Sequence, residues 1–464
     1  MLPLLLACTA PLGEPALSPR SADDSALEQA WLQTLADAED WRVRMEADTM
    51  ALAVIVDGRL RYAEGLGEVD GEPIEADAVF RWASVSKPHV SRVVHQLVDE
   101  GAVALDDPLD LWFPDVAPTG PYAERSPTID ELLHHTSGLP DELQWRCDSE
   151  DDWVSSLLDG RWQPELRAPP GAVHNYSNPN YTLLGAVIEQ VTGMPFHEAM
   201  QAELLGPLGM RTATYLASEA AELGAVPGRG GETIYEVDDW DCLASRPPAW
   251  LHGSVLDLAR FVEPIARDDL PRSLRDGLSH PLDSRWWGNG RHGIGPGFYV
   301  TPYREDTEMW AHDGWVTGFA SHVALLPEHG LGVVLVASNQ TANTAGLRNQ
   351  VLDNFLGVDT EAPVHLPSFS PLEEQARWEG EYVQRLTDAT PDYTEGRLRI
   401  VPSYPDGVLA LFWPDGTPVP LYQVDGDAYG YYEGEGDVEL VRFVETNGVA
   451  YLAHRRWVAV RESR

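Results

Sequence analysis

Apolar and polar positions along the chain follow several rhythms, and each marks a kind of element. Ser25 to Ala38 carries apolar residues at helical spacing. Leu52-Ala-Val-Ile-Val56 is an unbroken apolar run, followed by Asp57-Gly58 and Leu60-Arg-Tyr62. Asp-Gly supplies a primed turn, so this stretch reads as a β-hairpin. From Ser84 onward, Val90, Val93, Val94, Leu97 and Val98 recur three and four residues apart until Gly101 stops the helix. A long middle region rich in Pro, Gly and Trp follows, with helical pieces near 180–204 and 254–266. Ala320 to Leu326 and Leu331 to Ala337 form a second apolar hairpin around Glu328-His-Gly330, and a helix near 342–356 closes the unit. Strands at both ends of a mostly helical middle predict an α/β (α+β) domain, an antiparallel sheet flanked by helices plus a helical lobe.

The rhythm changes near the C-terminus. Residues 359–372, rich in Pro and Ser, read as a linker. Beyond them, short alternating runs are punctuated by Pro405-Asp-Gly407, Pro414-Asp-Gly416, Asp425-Gly426 and Asn447-Gly448. Turn signals at that spacing predict a small all-β barrel or sandwich over 373–464. With a tether over 1–26, this leaves 27–358 as the main domain. The tail carries no clustered nucleophile, base or metal-ligand set, so a structural or substrate-shaping role is expected for it.

A length of 464 residues agrees with two or three units. Seventy-four acidic residues against 32 basic ones leave a net charge of −42. Such a surface repels phosphate backbones and anionic lipid, which argues against nucleic acid or a polybasic membrane contact as partners. One of the 32 basic residues is a lysine, Lys87, and the other 31 are arginines. Arginine stays protonated, whereas a buried lysine can lose its proton, so this position suits a task that needs a titratable amine. Leu5-Leu-Ala-Cys8 resembles a bacterial lipobox, although the start lacks a basic region before its short apolar stretch. A lipid on Cys8, with the following Pro/Ser/Ala-rich run as tether, would place the protein at the cell envelope. Cys147 and Cys242 could then pair or both remain free thiols.

Three short motifs carry chemistry. In Ser84-Val-Ser-Lys87, residues three apart share a helix face, which puts the amine one turn from the hydroxyl. A helix N-terminus there offers free N–H groups and partial positive charge where an oxyanion would form. In Tyr176-Ser-Asn178, residues two apart in extended chain point the same way, so phenol and amide can face one site. His312-Asp-Gly314-Trp-Val-Thr-Gly318 precedes an apolar strand, and Gly314 would let a substrate backbone lie close. His312 lacks a second His or Cys at ligand spacing, so no metal is expected, and no Gly-x-Ser-x-Gly elbow occurs for a His–Asp-assisted triad.

Taken in order, Ser-x-x-Lys, Leu132-Leu-His-His-Thr-Ser-Gly-Leu-Pro140, Tyr-x-Asn and His-x-Gly resemble the class C β-lactamase-related serine hydrolases. That family includes D-alanyl-D-alanine carboxypeptidases, D-aminopeptidases and esterases. Asn178-Pro-Asn-Tyr-Thr-Leu-Leu-Gly185, Leu205-Gly-Pro-Leu-Gly-Met210 and Gly253-Ser-Val-Leu-Asp-Leu-Ala-Arg-Phe261 are similar to family segments too. The resemblance implies Ser84 as nucleophile, Lys87 as its base and Tyr176 as proton relay to the leaving group. Asn178 would orient Lys87 and substrate, and the N–H groups of Ser84 and Trp315 would hold the oxyanion. His134, His135 and Ser137 belong to a motif read as structural. His312 stands where Lys-Thr-Gly relatives carry a fixed cation for the substrate's carboxylate. An imidazole of ordinary pKa near 6.5 is mostly neutral at pH 7, which favours neutral esters or amides. The expected activity is hydrolysis of an ester or amide, with weak β-lactamase action as an extension and a non-turnover penicillin sensor as the alternative. No cofactor is expected, and the partner is a small-molecule or short-peptide substrate.

Overall fold

The computed structural model describes residues 24–141, 163–237, 243–279, 293–303, 307–358, 372–384, 396–404, 408–425, 427–433, 437–446, 448–454 and 457–462. Thr49–Val56 lies near the middle of an eight-stranded sheet because it is apolar on both sides. Met50, Leu52 and Val54 pack under the helices Asp24–Arg44 and Thr344–Leu356, against Trp31, Trp41, Leu347 and Val351. Ala51, Ala53 and Ile55 face the opposite core, which holds Val255, Leu258 and Val262 of the helix Val255–Ala266. A strand covered on both faces has no polar face to alternate with, hence the unbroken apolar run in the sequence.

The strand order is Glu72–Pro73, Arg59–Val69, Thr49–Val56, Leu331–Ala337, Phe319–Leu326, Thr307–Val316, Phe298–Tyr303 and Gly293–Gly295, with every pairing antiparallel. The two predicted hairpins therefore meet, with Leu52 opposite Leu335, and the helical lobe is inserted between them. Asp57 and Gly58 both have positive φ, 52° and 68°, as a primed turn demands. The first helix runs on to Arg44, past Ala38, because Trp41 continues the buried stripe and Arg42 and Arg44 pair with Glu39 and Asp40. The helical pieces near 180–204 are Asn178–Thr192, which ends at Gly193 (φ 68°), and Phe196–Met200, which starts after Pro195.

The tail forms a closed eight-stranded barrel from Gly380–Gln384 to Trp457–Arg461. Its interior is filled by Tyr382, Leu398, Leu411, Tyr429, Phe443 and Leu452 among others. A short helix, Leu372–Trp378, precedes it, and Trp378 stacks on Phe443 with ring centroids 4.8 Å apart. Residues 1–23, including Cys8, and the positions of Cys147 and Cys242 lie outside the described residues. No helix among the described residues is long and apolar enough to cross a membrane.

Candidate active site

The site begins with a strained turn. Ala83 has φ +48°, unusual for a residue with a Cβ, and it opens the single 3₁₀ turn Ala83–Val85 that carries Ser84. Several bonds over-determine this turn. The Trp82 N–H donates to Leu251 O at 2.8 Å and the Trp82 indole to Gly253 O at 2.8 Å. Ser86 Oγ donates to Ala83 O at 2.7 Å, and Ser321 Oγ to Trp82 O at 2.8 Å. The helix Ser86–Asp99 follows directly, burying Val90, Val93, Val94 and Leu97.

Lys87, in the first turn of that helix, is fully buried. Its Nζ lies 3.1 Å from Ser84 Oγ, 2.7 Å from Asn178 Oδ1 and 3.0 Å from Pro248 O. Burial pulls the amine down to about 7, with the carboxylates of Asp141 and Asp313 opposing the fall. Near neutral pH a large fraction is therefore the free amine. That form has two N–H groups for Asn178 and Pro248, and a lone pair for the Ser84 hydroxyl.

Tyr176 and Asn178 reach the site together because Ser177 between them is extended (φ −145°, ψ 118°) and caps the helix Asn178–Thr192. The Tyr176 hydroxyl donates to Ser84 Oγ at 2.9 Å. Burial raises its pKa well above the usual tyrosine value, so it is a neutral phenol and a donor. Ser84 thus has an acceptor on one side and a donor on the other.

Two further residues, Asp141 and His135, support this pair. Asp141 Oδ1 accepts from the Asn178 main-chain N–H at 2.5 Å, and its Oδ2 stands 3.3 Å from Asn178 Nδ2. A carboxylate only accepts, so it fixes the amide with nitrogen toward itself and oxygen toward Lys87. His135, read as merely structural, stacks under the Tyr176 ring with centroids 4.4 Å apart. Its Nδ1 accepts from the Ser177 N–H at 3.1 Å, and burial holds the ring neutral by driving its pKa well below the ordinary value. Asn180, held by Ser137 Oγ at 2.7 Å, meets the same Nδ1 at 3.1 Å.

His312, Gly314 and Trp315 lie on Thr307–Val316. Val316 and Phe319 flank a two-residue turn, so Trp315 and Ala320 form the next, widely spaced pair. The ladder alternation turns the Trp315 N–H away from Ala320, toward an edge that the neighbouring strand leaves beyond Ala311. The Trp315 side chain is 55% exposed. Gly314 meets the Ser84 turn on its Cβ side. A Cβ there would lie 2.2 Å from Ser321 Oγ and 2.5 Å from Trp82 O, so the missing side chain lets the strand close on the Ser84 turn. His312 is buried, its Nδ1 2.6 Å from the main-chain carbonyl of Asp313. With His135, Gly295, Gly297 and Tyr299 it lines a small open cleft.

A Ser–Lys–Tyr constellation on a sheet of this order defines a class of serine hydrolases, and the chain belongs to the Beta-lactamase family, whose sequence model matches residues 39–355. It is a serine hydrolase of the β-lactamase/D,D-peptidase-like superfamily. Penicillin-binding protein 4 of Amycolatopsis lactamdurans is 27% identical over 352 residues, 69% of this chain and 91% of that protein. Esterase EstB of Burkholderia gladioli is 37% identical over 187 residues, 37% of this chain, and the match spans about half (47%) of EstB. The crystal structure of SurE with D-Leu superposes with a TM-score of 0.64 at 26% identity, covering 93% of this chain and 99% of that one.

Proposed function

We propose that this protein hydrolyses an ester or amide through an acyl-enzyme on Ser84, as a carboxylesterase or D-amino-acid peptidase. The observation that carries the reading is Ser84 Oγ, placed between the Lys87 amine at 3.1 Å and the Tyr176 phenol at 2.9 Å. Neutral Lys87 takes the Ser84 proton as Oγ bonds to the substrate carbonyl carbon. The N–H groups of Ser84 and Trp315 hold the resulting oxyanion. Tyr176 gives its proton to the departing oxygen or nitrogen, and the phenolate is reprotonated by the Lys87 ammonium. Water then attacks the acyl carbon, passing a proton through Lys87, and Ser84 is released with its hydrogen restored.

A relative named an esterase and a similar structure holding D-Leu fit these two substrate classes. A relative named a penicillin-binding protein keeps the non-turnover alternative in view. His312 favours neutral substrates over those with a free carboxylate, since an imidazole, unlike a lysine, offers an anion no permanent counter-charge. Export and a lipid on Cys8 belong to the same proposal, and the mass of the mature N-terminus decides them. The test of the nucleophile is a fluorophosphonate probe followed by mass spectrometry. The label is expected on the peptide containing Ser84, with steady release of product from an activated ester. Labelling that persists in Ser84→Ala overturns the assignment, and a burst without turnover favours the sensor.

A further inference from the structure

The outer wall of the barrel has the wrong polarity for a surface facing water. Along Val449–His454, Ala450 and Leu452 point into the barrel core, so the alternate residues Val449, Tyr451 and Ala453 point out. On Trp457–Arg461, Ala459 points in while Val458 and Val460 point out. This apolar stripe is covered: Tyr451 and Val458 are 0% and 1% exposed. The cover is Ala168, Ala172 and Val173 of the hydrolase domain, and the Tyr451 hydroxyl donates to that of Tyr122 at 3.0 Å.

The covering segment has neither helix nor extended strand from residue 163 to Tyr176, so its position depends on its neighbours. Its other side lies on the turn that bears His135. Arg167 N–H donates to Gly138 O at 2.8 Å, Gly171 N–H to Thr136 O at 2.7 Å and Asn175 N–H to His135 O at 2.7 Å. Three residues after Val173 comes Tyr176. We propose that the barrel is a brace: by docking its outer wall on Ala168–Val173 it clamps the loop against the His135 turn and sets Tyr176 and Asn178 against Ser84. The inference rests on the reading of Ser84 as nucleophile. Its force comes from the steepness of catalysis with position, since a misplacement of about 1 Å can cost about a hundredfold in rate.

Full-length Ala453→Glu and Val458→Glu test the brace, because both side chains point out of the barrel and leave its interior unchanged. Hydrogen exchange should rise across 163–177 while Val408–Phe412 in the barrel stays protected. The kcat for a neutral short-chain ester should fall about tenfold or more, with KM changing less. Val458→Ile should restore wild-type behaviour. Should either Glu variant fail to fold, Tyr451→Phe combined with Val458→Ala weakens the same contact by a smaller step. Exchange that rises across 163–177 with unchanged kcat overturns the brace, as does exchange that does not rise at all. Failure of the Ser84 reading is separate, because it would appear as absent labelling of Ser84 in the unaltered protein.

Discussion

Asp141→Asn isolates the residue that orients Asn178 and sets the charge around Lys87. The change is nearly isosteric, but it removes a negative charge and turns one acceptor into a donor. The Asn oxygen keeps the Asn178 main-chain N–H, now 2.5 Å away, so its amino group faces Asn178 Nδ2, now 3.3 Å from an acceptor. Two donors then meet, and the Asn178 amide must turn or draw back from Lys87. The carboxylate reaches Lys87 across one amide, a separation of about 6–7 Å, which at an effective dielectric of about 20 corresponds to about 2–3 kcal/mol favouring the ammonium. Lys87 is already pulled to about 7 by burial, with Asp141 first among the groups resisting that pull. Its loss should therefore move the acid limb of kcat/KM down by about one to two pH units. In the proposed mechanism the free amine is the catalytic form, so activity of the natural protein should rise with pH through about 7, and that of the variant at lower pH. Stability gives an independent sign. Folded Lys87 binds fewer protons than the unfolded residue between about 7 and 10.5, so its burial lowers stability below pH 7, and that cost fades as pH climbs through this window. The variant should show a larger gain in Tm between pH 6 and pH 9. Rate profiles on a neutral ester and thermal melts across that range are the assays. An acid limb that stays in place with an unchanged plateau would refute both the electrostatic and the orienting role of Asp141.

Two further substitutions probe the same site. Lys87→Arg keeps the charge and removes the titratable amine, so kcat should drop by about a hundredfold or more with the melt retained; near-normal turnover would make Lys87 only a cation. His312→Lys should shift the ratio of kcat/KM toward substrates with a free carboxylate, and penicillin hydrolysis faster than short-ester hydrolysis in the natural protein at pH 7 would sink the reading of His312.

The sequence disclosed what depends on near neighbours and hid what depends on distant ones. Ser84 and Lys87 are legible because three residues is one helical turn, and Tyr176 and Asn178 because an extended Ser177 puts both on one side. The central strands are legible because burial on both faces leaves an unbroken apolar run. Asp141 and Pro248 act across 37 and 161 positions, and no spacing rule connects them to Asn178 or Lys87. His135 lies within the Leu132–Pro140 segment, yet its role depends on a ring stack that only the fold creates. A glycine in a strand signals a close approach without saying of what, and on the Cβ side of Gly314 the neighbour is the Ser84 turn. The tail's turn signals fixed its strand content, but barrel and sandwich share that punctuation. Closure is decided by the pairing of Gly380–Gln384 with Trp457–Arg461, elements at opposite ends of the tail.

That Lys87 is the sole lysine has a practical consequence for spectroscopy. Isotopically labelled lysine fed during expression would enter the protein at one position and give one side-chain amine resonance, free of overlap at any molecular size. Followed against pH, that line reports the ionisation of Lys87 in the intact, unsubstituted protein. Followed after addition of an ester, it tests whether the neighbourhood of the amine changes as the proposed acyl-enzyme on Ser84 forms and is cleared.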